Sequence, residues 1–152
     1  MPGHAIITGG SSGIGLAVAK TLAARGASVS LVARNRERLA SAREAVLAAG
    51  NGKADVQTFS ADVRDPEELN QAIASAVETF GTPDWGISCA GIVIPGTFVK
   101  QTLRDHEDQW RTNYLGSLQF THFVLPHLEK SQKPRLVLIA SGAAFAGLYG
   151  YS

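Results

Sequence analysis

Short apolar runs alternate with amphipathic, helix-forming stretches along the whole chain, and a Gly/Ser-rich turn stands at the first junction between them. The apolar runs cover residues 4–8, 28–33, 55–61, 85–89 and 135–140. Between them, residues 13–25, 36–49, 66–80 and 103–128 carry apolar side chains at helical spacing. On the first helix Leu16, Ala19, Leu22 and Ala23 share an inner face, and Gly26 ends it. Gly50 closes the second, ahead of an Asn51-Gly52 turn. The third opens with Asp65 as N-cap, Pro66 at the first helical position and Glu67-Glu68 at the positive end of the helix dipole. Pro83-Asp84 introduces the fourth strand, residues 90–96 form a Gly/Pro loop, and Pro126 stands near the end of the long fourth helix. Short strands joined by helices of this length pair in parallel, and a parallel sheet needs helices on both faces. The predicted fold is α/β, a doubly wound parallel sheet in a single domain over residues 1–152.

Residues 141–152 read as a loop, so no helix is available to cover that side of the fifth strand. A bare sheet face is a large apolar patch. The expectation is a fold truncated after the fifth strand, either a piece of a longer chain or one that a partner completes.

Composition narrows the function classes. Hydrophobic residues make up 45% and charged residues 18%, an ordinary soluble mix. A net charge of +1 gives no general affinity for nucleic acid or an acidic membrane. The single cysteine, Cys89, excludes an internal disulfide framework and fits a reducing compartment. No apolar run reaches the roughly 20 residues that span a bilayer. Met1-Pro2-Gly3-His4 lacks the charged leader of a secretory signal. The default is a cytoplasmic protein, with peripheral contact at the cytosolic face of a membrane left open. His4, His106, His122 and His127 are too scattered for a metal site. Cys89, closing a buried strand, reads as inert core, and Trp85, Trp110, Phe120 and Phe123 as packing residues.

The turn itself reads Thr8-Gly9-Gly10-Ser11-Ser12-Gly13-Ile14-Gly15. Glycines between a strand and a helix permit a tight bend, let backbone approach a pyrophosphate, and let the helix pack on the strand. Unpaired amides of Gly13, Ile14 and Gly15 at the helix start then attract the anion, with the Ser11 and Ser12 hydroxyls as further donors. The alternative is a mere connecting loop. Its place between the first strand and first helix favours dinucleotide binding.

The second strand ends Leu31-Val32-Ala33-Arg34-Asn35, with Arg38 one turn further. An NAD site usually has an acid there for the ribose hydroxyls. A guanidinium instead suits a 2′-phosphate by charge and fork geometry, which points to NADP(H). Otherwise Arg34 and Arg38 are solvated charges pairing with Glu37 or Glu44. Asp62-Val63 could hold the adenine edge, or Asp62 could be an ordinary turn aspartate. Ala90-Gly91, after the fourth strand, lies where backbone must approach the cofactor.

Thr8 to Gly15, Asp62-Val63, Cys89-Ala90-Gly91, Asn113 in the long helix and Ser141 after the fifth strand together resemble the short-chain dehydrogenase/reductase family, over essentially the whole chain. The resemblance implies a Rossmann-like sheet of order 3-2-1-4-5 and hydride transfer between a nicotinamide and a carbonyl or alcohol carbon. It implies that Ser141 hydrogen-bonds the substrate oxygen and that Asn113 bends its helix and anchors a water of the proton relay; a plain mid-helix asparagine bonded to nearby backbone is the alternative. A homodimer or tetramer through the long helix is also implied. Within the family, Leu31 to Asn35, Asn113 to Ser117 and Gly147 to Ser152 resemble the branch that reduces 3-ketodihydrosphingosine, so a lipid or small-molecule ketone is the expected substrate. Other ketones, such as a 3-oxoacyl thioester or a steroid, and an NADP(H)-binding regulatory protein without turnover, are the alternatives. Ser88-Cys89 replaces the family's usual Asn pair, which puts some strand-supporting hydrogen bonds in doubt. The family's acid, a Tyr paired with Lys four residues later, would fall past Ser152. Tyr149 and Tyr151 have no such lysine after them and read as substrate-mouth or packing residues. A polypeptide ending at residue 152 is expected to show no turnover.

Overall fold

The computed structural model describes residues 3–147, 149 and 150. Five parallel strands, β1 (His4–Thr8), β2 (Ser28–Ala33), β3 (Val56–Ser60), β4 (Trp85–Ser88) and β5 (Arg135–Leu138), form one sheet in the order β3-β2-β1-β4-β5. The expected order and fold class are therefore observed. Register sets Thr8 beside Val32 on one side and Ser88 on the other, so the C-terminal ends of the three central strands lie level. The chain leaves β1 in one direction to β2 and later in the other to β4. That reversal opens a crevice above β1.

Strand alternation builds a core on each face. Ala5, Ile7, Val29 and Leu31 pack against α1 (Gly13–Ala24) and α2 (Arg36–Gly50) through Ala19, Ala23, Leu39 and Val46. Ile6 and Val32 pack on the other face against α3 (Pro66–Phe80) and α5 (Gly116–Leu128) through Leu69, Ile73, Phe120 and Val124. All five residues of β1 are buried, as a strand covered on both faces requires. Each buried Val, Leu or Ile side chain among these contributes about 1.5–3 kcal/mol. The cap expected at Asp65 is present: its carboxylate accepts from the Glu67 and Glu68 amides at 2.9 and 3.0 Å.

Several boundaries differ from the sequence expectation. Gly50 continues α2, and Asn51 ends it in the left-handed region at φ 47°. The helix expected over 103–128 divides into α4 (Leu103–Trp110), a π turn at Arg111–Leu115, and α5. A capping box on Thr102 and Asp105 starts α4. A short 3-10 turn at Gly142–Ala144 stands where loop was expected, and another, Phe98–Lys100, lies between the loop of residues 90–96 and α4. Trp110 is not core; it is 53% exposed and stacks on Tyr114. Leu136, Leu138 and Ile139 near β5 are exposed, the bare apolar side anticipated there. No helix among the described residues is long and apolar enough to cross a membrane.

Candidate functional site

A cleft of about 410 Å³ opens at the level strand ends. It brings together Gly9, Ser11, Ser12, Gly13, Ile14, Gly15, Arg34, Arg38, Val63, Ala90 and Gly91 from the expected set. Asp62, Asn113 and Ser141 do not line it.

The floor is tied by backbone. Gly9 N donates to Val32 O at 2.9 Å, Cys89 N to Thr8 O at 3.1 Å, and Ala90 N to Thr8 Oγ1 at 3.4 Å. Gly9 has φ +67°, and a Cβ there would lie 2.7 Å from Ala90 N. A Cβ on Gly15 would lie 2.5 Å from Gly9 O. Only glycine fits at either place, so the turn folds flat under the start of α1. Ser12 is the α1 N-cap without a side-chain capping bond. While α2, α3 and α4 each carry an acid in the first turn, α1 carries none. Its amide ends and dipole thus keep an unneutralised affinity for an anion.

The rim at the end of β2 is basic. Asn35 caps α2 by accepting from Arg38 N at 2.8 Å, which fixes Arg34 just before the helix and Arg38 in its first turn. Neither arginine pairs with Glu37 or Glu44 in the described ion pairs; Glu44 bonds Arg43. Arg34 lies 3.8 Å from Asp62 Oδ2 and is 55% exposed. Asp62 itself faces Arg64, whose Nε and Nη2 reach its carboxylate at 2.7–3.1 Å. Burial works against ionisation of Asp62, but the Arg64 hydrogen bonds and the charges of Arg64 and Arg34 outweigh it and hold the carboxyl below its usual range. Arg64 also reaches Asp108 of α4 at 3.0 Å. No sequence signal singled out Arg64, because its second partner, Asp108, is brought near only by the fold. Asp62 N donates to Glu68 Oε2 at 2.9 Å.

Asn113 sits in the π turn, where its amide pairs with one backbone unit. Its Oδ1 accepts from Ile92 N at 2.8 Å and its Nδ2 donates to Ile92 O at 2.9 Å. Gln109 Oε1 accepts from Ile94 N at 3.0 Å. These side chains pin the loop after β4 at the cleft, where Ile92 joins the lining. The bend expected at Asn113 takes the form of this π turn. The Ser88 hydroxyl meets that of Ser117 at 3.1 Å, which ties β4 to α5.

Ser141 is exposed and caps the last 3-10 turn, its Oγ accepting from Ala143 N at 3.2 Å. Cys89 lies just past β4 rather than in it, half-buried in the cleft wall, and burial pushes its thiol pKa up. Tyr149 is 94% exposed, so it packs under nothing described; Tyr151 and Ser152 lie outside the described residues. Among the described residues no group of three or more His, Cys, Asp or Glu is placed to hold a metal. Thr112, which sequence reasoning passed over, also lines the cleft.

Known proteins match this chain in sequence and in fold. The family model described as short chain dehydrogenase matches residues 3–152. The chain is similar, at 34% identity over 155 residues, to 3-ketodihydrosphingosine reductase of Bos taurus, covering 100% of this chain and 47% of that one. It is 36% identical over 152 residues to ketoacyl reductase HetN of Nostoc sp., covering 97% of this chain and 52% of that one. A variant of actinorhodin polyketide ketoreductase with NADPH shares the fold at a TM-score of 0.89 and 30% identity, over 99% of this chain and 57% of that one. The chain spans about half the length of the curated relatives it matches.

Proposed function

The chain belongs to the short-chain dehydrogenase family, and from that premise we propose that it is the NADP(H)-binding part of a ketoreductase whose substrate is 3-ketodihydrosphingosine. The observation that carries the cofactor choice is Arg34 at the end of β2, where an acid would favour NAD. The substrate choice is supported by the similarity to the bovine reductase along the whole chain.

The cleft fits such a cofactor. The amides at the start of α1 hold the pyrophosphate, with Ser11 and Ser12 as added donors. Arg34 and Arg38 take the 2′-phosphate. Val63, with Asp62 beside it, borders the adenine, and Ala90 and Gly91 let the dinucleotide lie close to β4. When bound, NADP(H) supplies the hydride. Ser141 accepts from Ala143 N through an oxygen lone pair, which leaves its O–H to hydrogen-bond the substrate carbonyl and stabilise the developing alkoxide. Asn113 holds the loop at residues 90–96 in register with the cleft. As proton donor the family resemblance implies a Tyr paired with Lys four residues later, a pair that residues 1–152 do not contain. The exposed Trp110, Tyr114 and Leu118 along the α4–α5 line support a homo-oligomer through these helices. A lipid ketone places the protein in contact with the cytosolic face of a membrane.

A second reading keeps the chemistry and changes the ketone, and the similarity to a ketoacyl reductase favours it. NADPH oxidation by the whole protein on matched panels separates the two. The sphingoid reading predicts the highest kcat/KM on 3-ketodihydrosphingosine. Equal or faster turnover of 3-oxoacyl thioesters or steroid ketones would remove it.

A further inference from the structure

The register of β2 and β3 sets up a contest for one guanidinium. Ala33 stands beside Ser60, and the Ser60 hydroxyl donates to Arg34 O at 3.2 Å. Asp62, two residues past Ser60, thereby comes to the end of β2, with its Oδ2 3.8 Å from Arg34 Nη1. An arginine and a carboxylate this close readily close into a bidentate pair. Such a pair would occupy donors that a phosphate needs and set a negative charge where the phosphate has to come.

Arg64 stands against that pairing. Its backbone amide donates to Asp62 Oδ1 at 3.0 Å, a local turn bond. Its side chain folds back over the same carboxylate, Nε lying 3.1 and 3.0 Å from the two oxygens and Nη2 2.7 Å from Oδ2. The remaining arm, Nη1, donates to Asp108 Oδ1 on α4 at 3.0 Å. A planar fork held by carboxylates at both ends has little freedom to let go of Asp62. Side-chain exposure is 22% at Asp62 and 31% at Arg64, so solvent screens this pair less than a fully exposed one. Neither residue lines the cleft, whereas Arg34 does; Asp62 and Arg64 line a separate hollow with Arg104 and Asp108.

We propose that Arg64 is a positioning residue for cofactor selectivity: by holding Asp62 with its fork and Asp108 with its other arm, it keeps the Arg34 guanidinium open to a 2′-phosphate. The proposal rests on the NADP(H) reading given above. Among the described residues, Asp62 has ion pairs with Arg64 and Arg34. Without the Arg64 side chain, Arg34 is the cation left within reach. Asp62 then turns to it, because a poorly solvated charge without a partner costs more than a side-chain rotation. The run of contacts Asp108–Arg64–Asp62 also makes the opening of Arg34 depend on where α4 sits.

Arg64→Met in the whole protein tests this, with Kd for NADPH and NADH read by nicotinamide fluorescence. The ratio of the NADH value to the NADPH value should fall about three- to tenfold, because Asp62 now competes for Arg34. In turnover the loss should appear in KM for NADPH and not in kcat. Adding Asp62→Asn to Arg64→Met removes the competing charge and should return the ratio to that of wild type. In an Arg34→Met background, Arg64→Met should change the ratio no further, as expected of two residues acting through one group. Arg64→Lys keeps the charge without the fork, and this milder variant should give an intermediate ratio. A wild-type ratio in Arg64→Met, or in Arg64→Lys should Arg64→Met not fold, would overturn the proposal. So would a loss that persists after Asp62→Asn, or an additive loss in the Arg34→Met background, the mark of a distant charge acting on its own. A wild-type protein with no preference for NADPH would instead overturn the NADP(H) reading itself.

Discussion

At the end of β2 the arrangement of charges decides what the cleft can hold. Asp62 could have neutralised Arg34, but its carboxylate is already engaged by Arg64 at 2.7–3.1 Å. Arg34, at 3.8 Å and half-exposed, lies beyond hydrogen-bond distance of that carboxylate, which suits the phosphate role proposed for it. A different residue shows how a single burial sets pH behaviour. His4 is 3% exposed, with Nδ1 2.9 Å from Gly81 O and Nε2 2.9 Å from Ser30 Oγ. The carbonyl assigns the proton to Nδ1, so Nε2 accepts from the serine hydroxyl. Burial lowers the His4 pKa, outweighing the Gly81 hydrogen bond and the Asp84 charge, which raise it. The unfolded chain therefore binds the extra proton first. Stability that is whole above the unfolded value of about 6.5 is lost as pH falls below it. Melting curves at about pH 8 and about pH 5 should show a larger drop for wild type than for His4→Gln. Parallel drops would show that His4 is not the group responsible.

At the scale of elements, the break between α4 and α5 matters most. Asn113 makes two hydrogen bonds to Ile92, and together they hold the loop after β4 as a strand partner would. Asn113→Ala should raise deuterium uptake over residues 91–95 by about five- to a hundredfold in rate, the equivalent of about 1–3 kcal/mol of local stability, and leave α1 unchanged. Uptake equal to wild type would mean the loop is held by other contacts. The five strands and most helices were legible in the sequence, because period and punctuation are local signals. Asp65, Pro66 and the paired glutamates mark the start of α3 without any tertiary information. Gly50 misled for the same reason: a glycine after a helical pattern reads as a stop, yet Asn51 takes the left-handed position instead. The π turn was anticipated only as a bend at Asn113. Arg64 was invisible, since its role comes from Asp108, a partner that only the folded chain brings near.

For the whole molecule, the parallel order β3-β2-β1-β4-β5 places the cleft-lining segments at one end of the strands, above the middle of the sheet. The Gly-rich turn, the β2 end and the β4 loop meet there because their strands end level at Thr8, Val32 and Ser88. The proposed chemistry is less concentrated. Ser141 stands outside the cleft lining, beyond β5, whose Leu138 is 52% exposed. Binding thus rests on one contiguous cleft, and catalysis on what the whole protein assembles around Ser141. The cofactor choice tests both together. In the whole protein reducing 3-ketodihydrosphingosine, kcat/KM with NADPH should exceed that with NADH. Arg34→Asp should lower the NADPH value by about 1.5–3 kcal/mol, roughly ten- to a hundredfold, while moving the NADH value little. Equal use of both cofactors by wild type, with no selective loss in Arg34→Asp, would contradict the account.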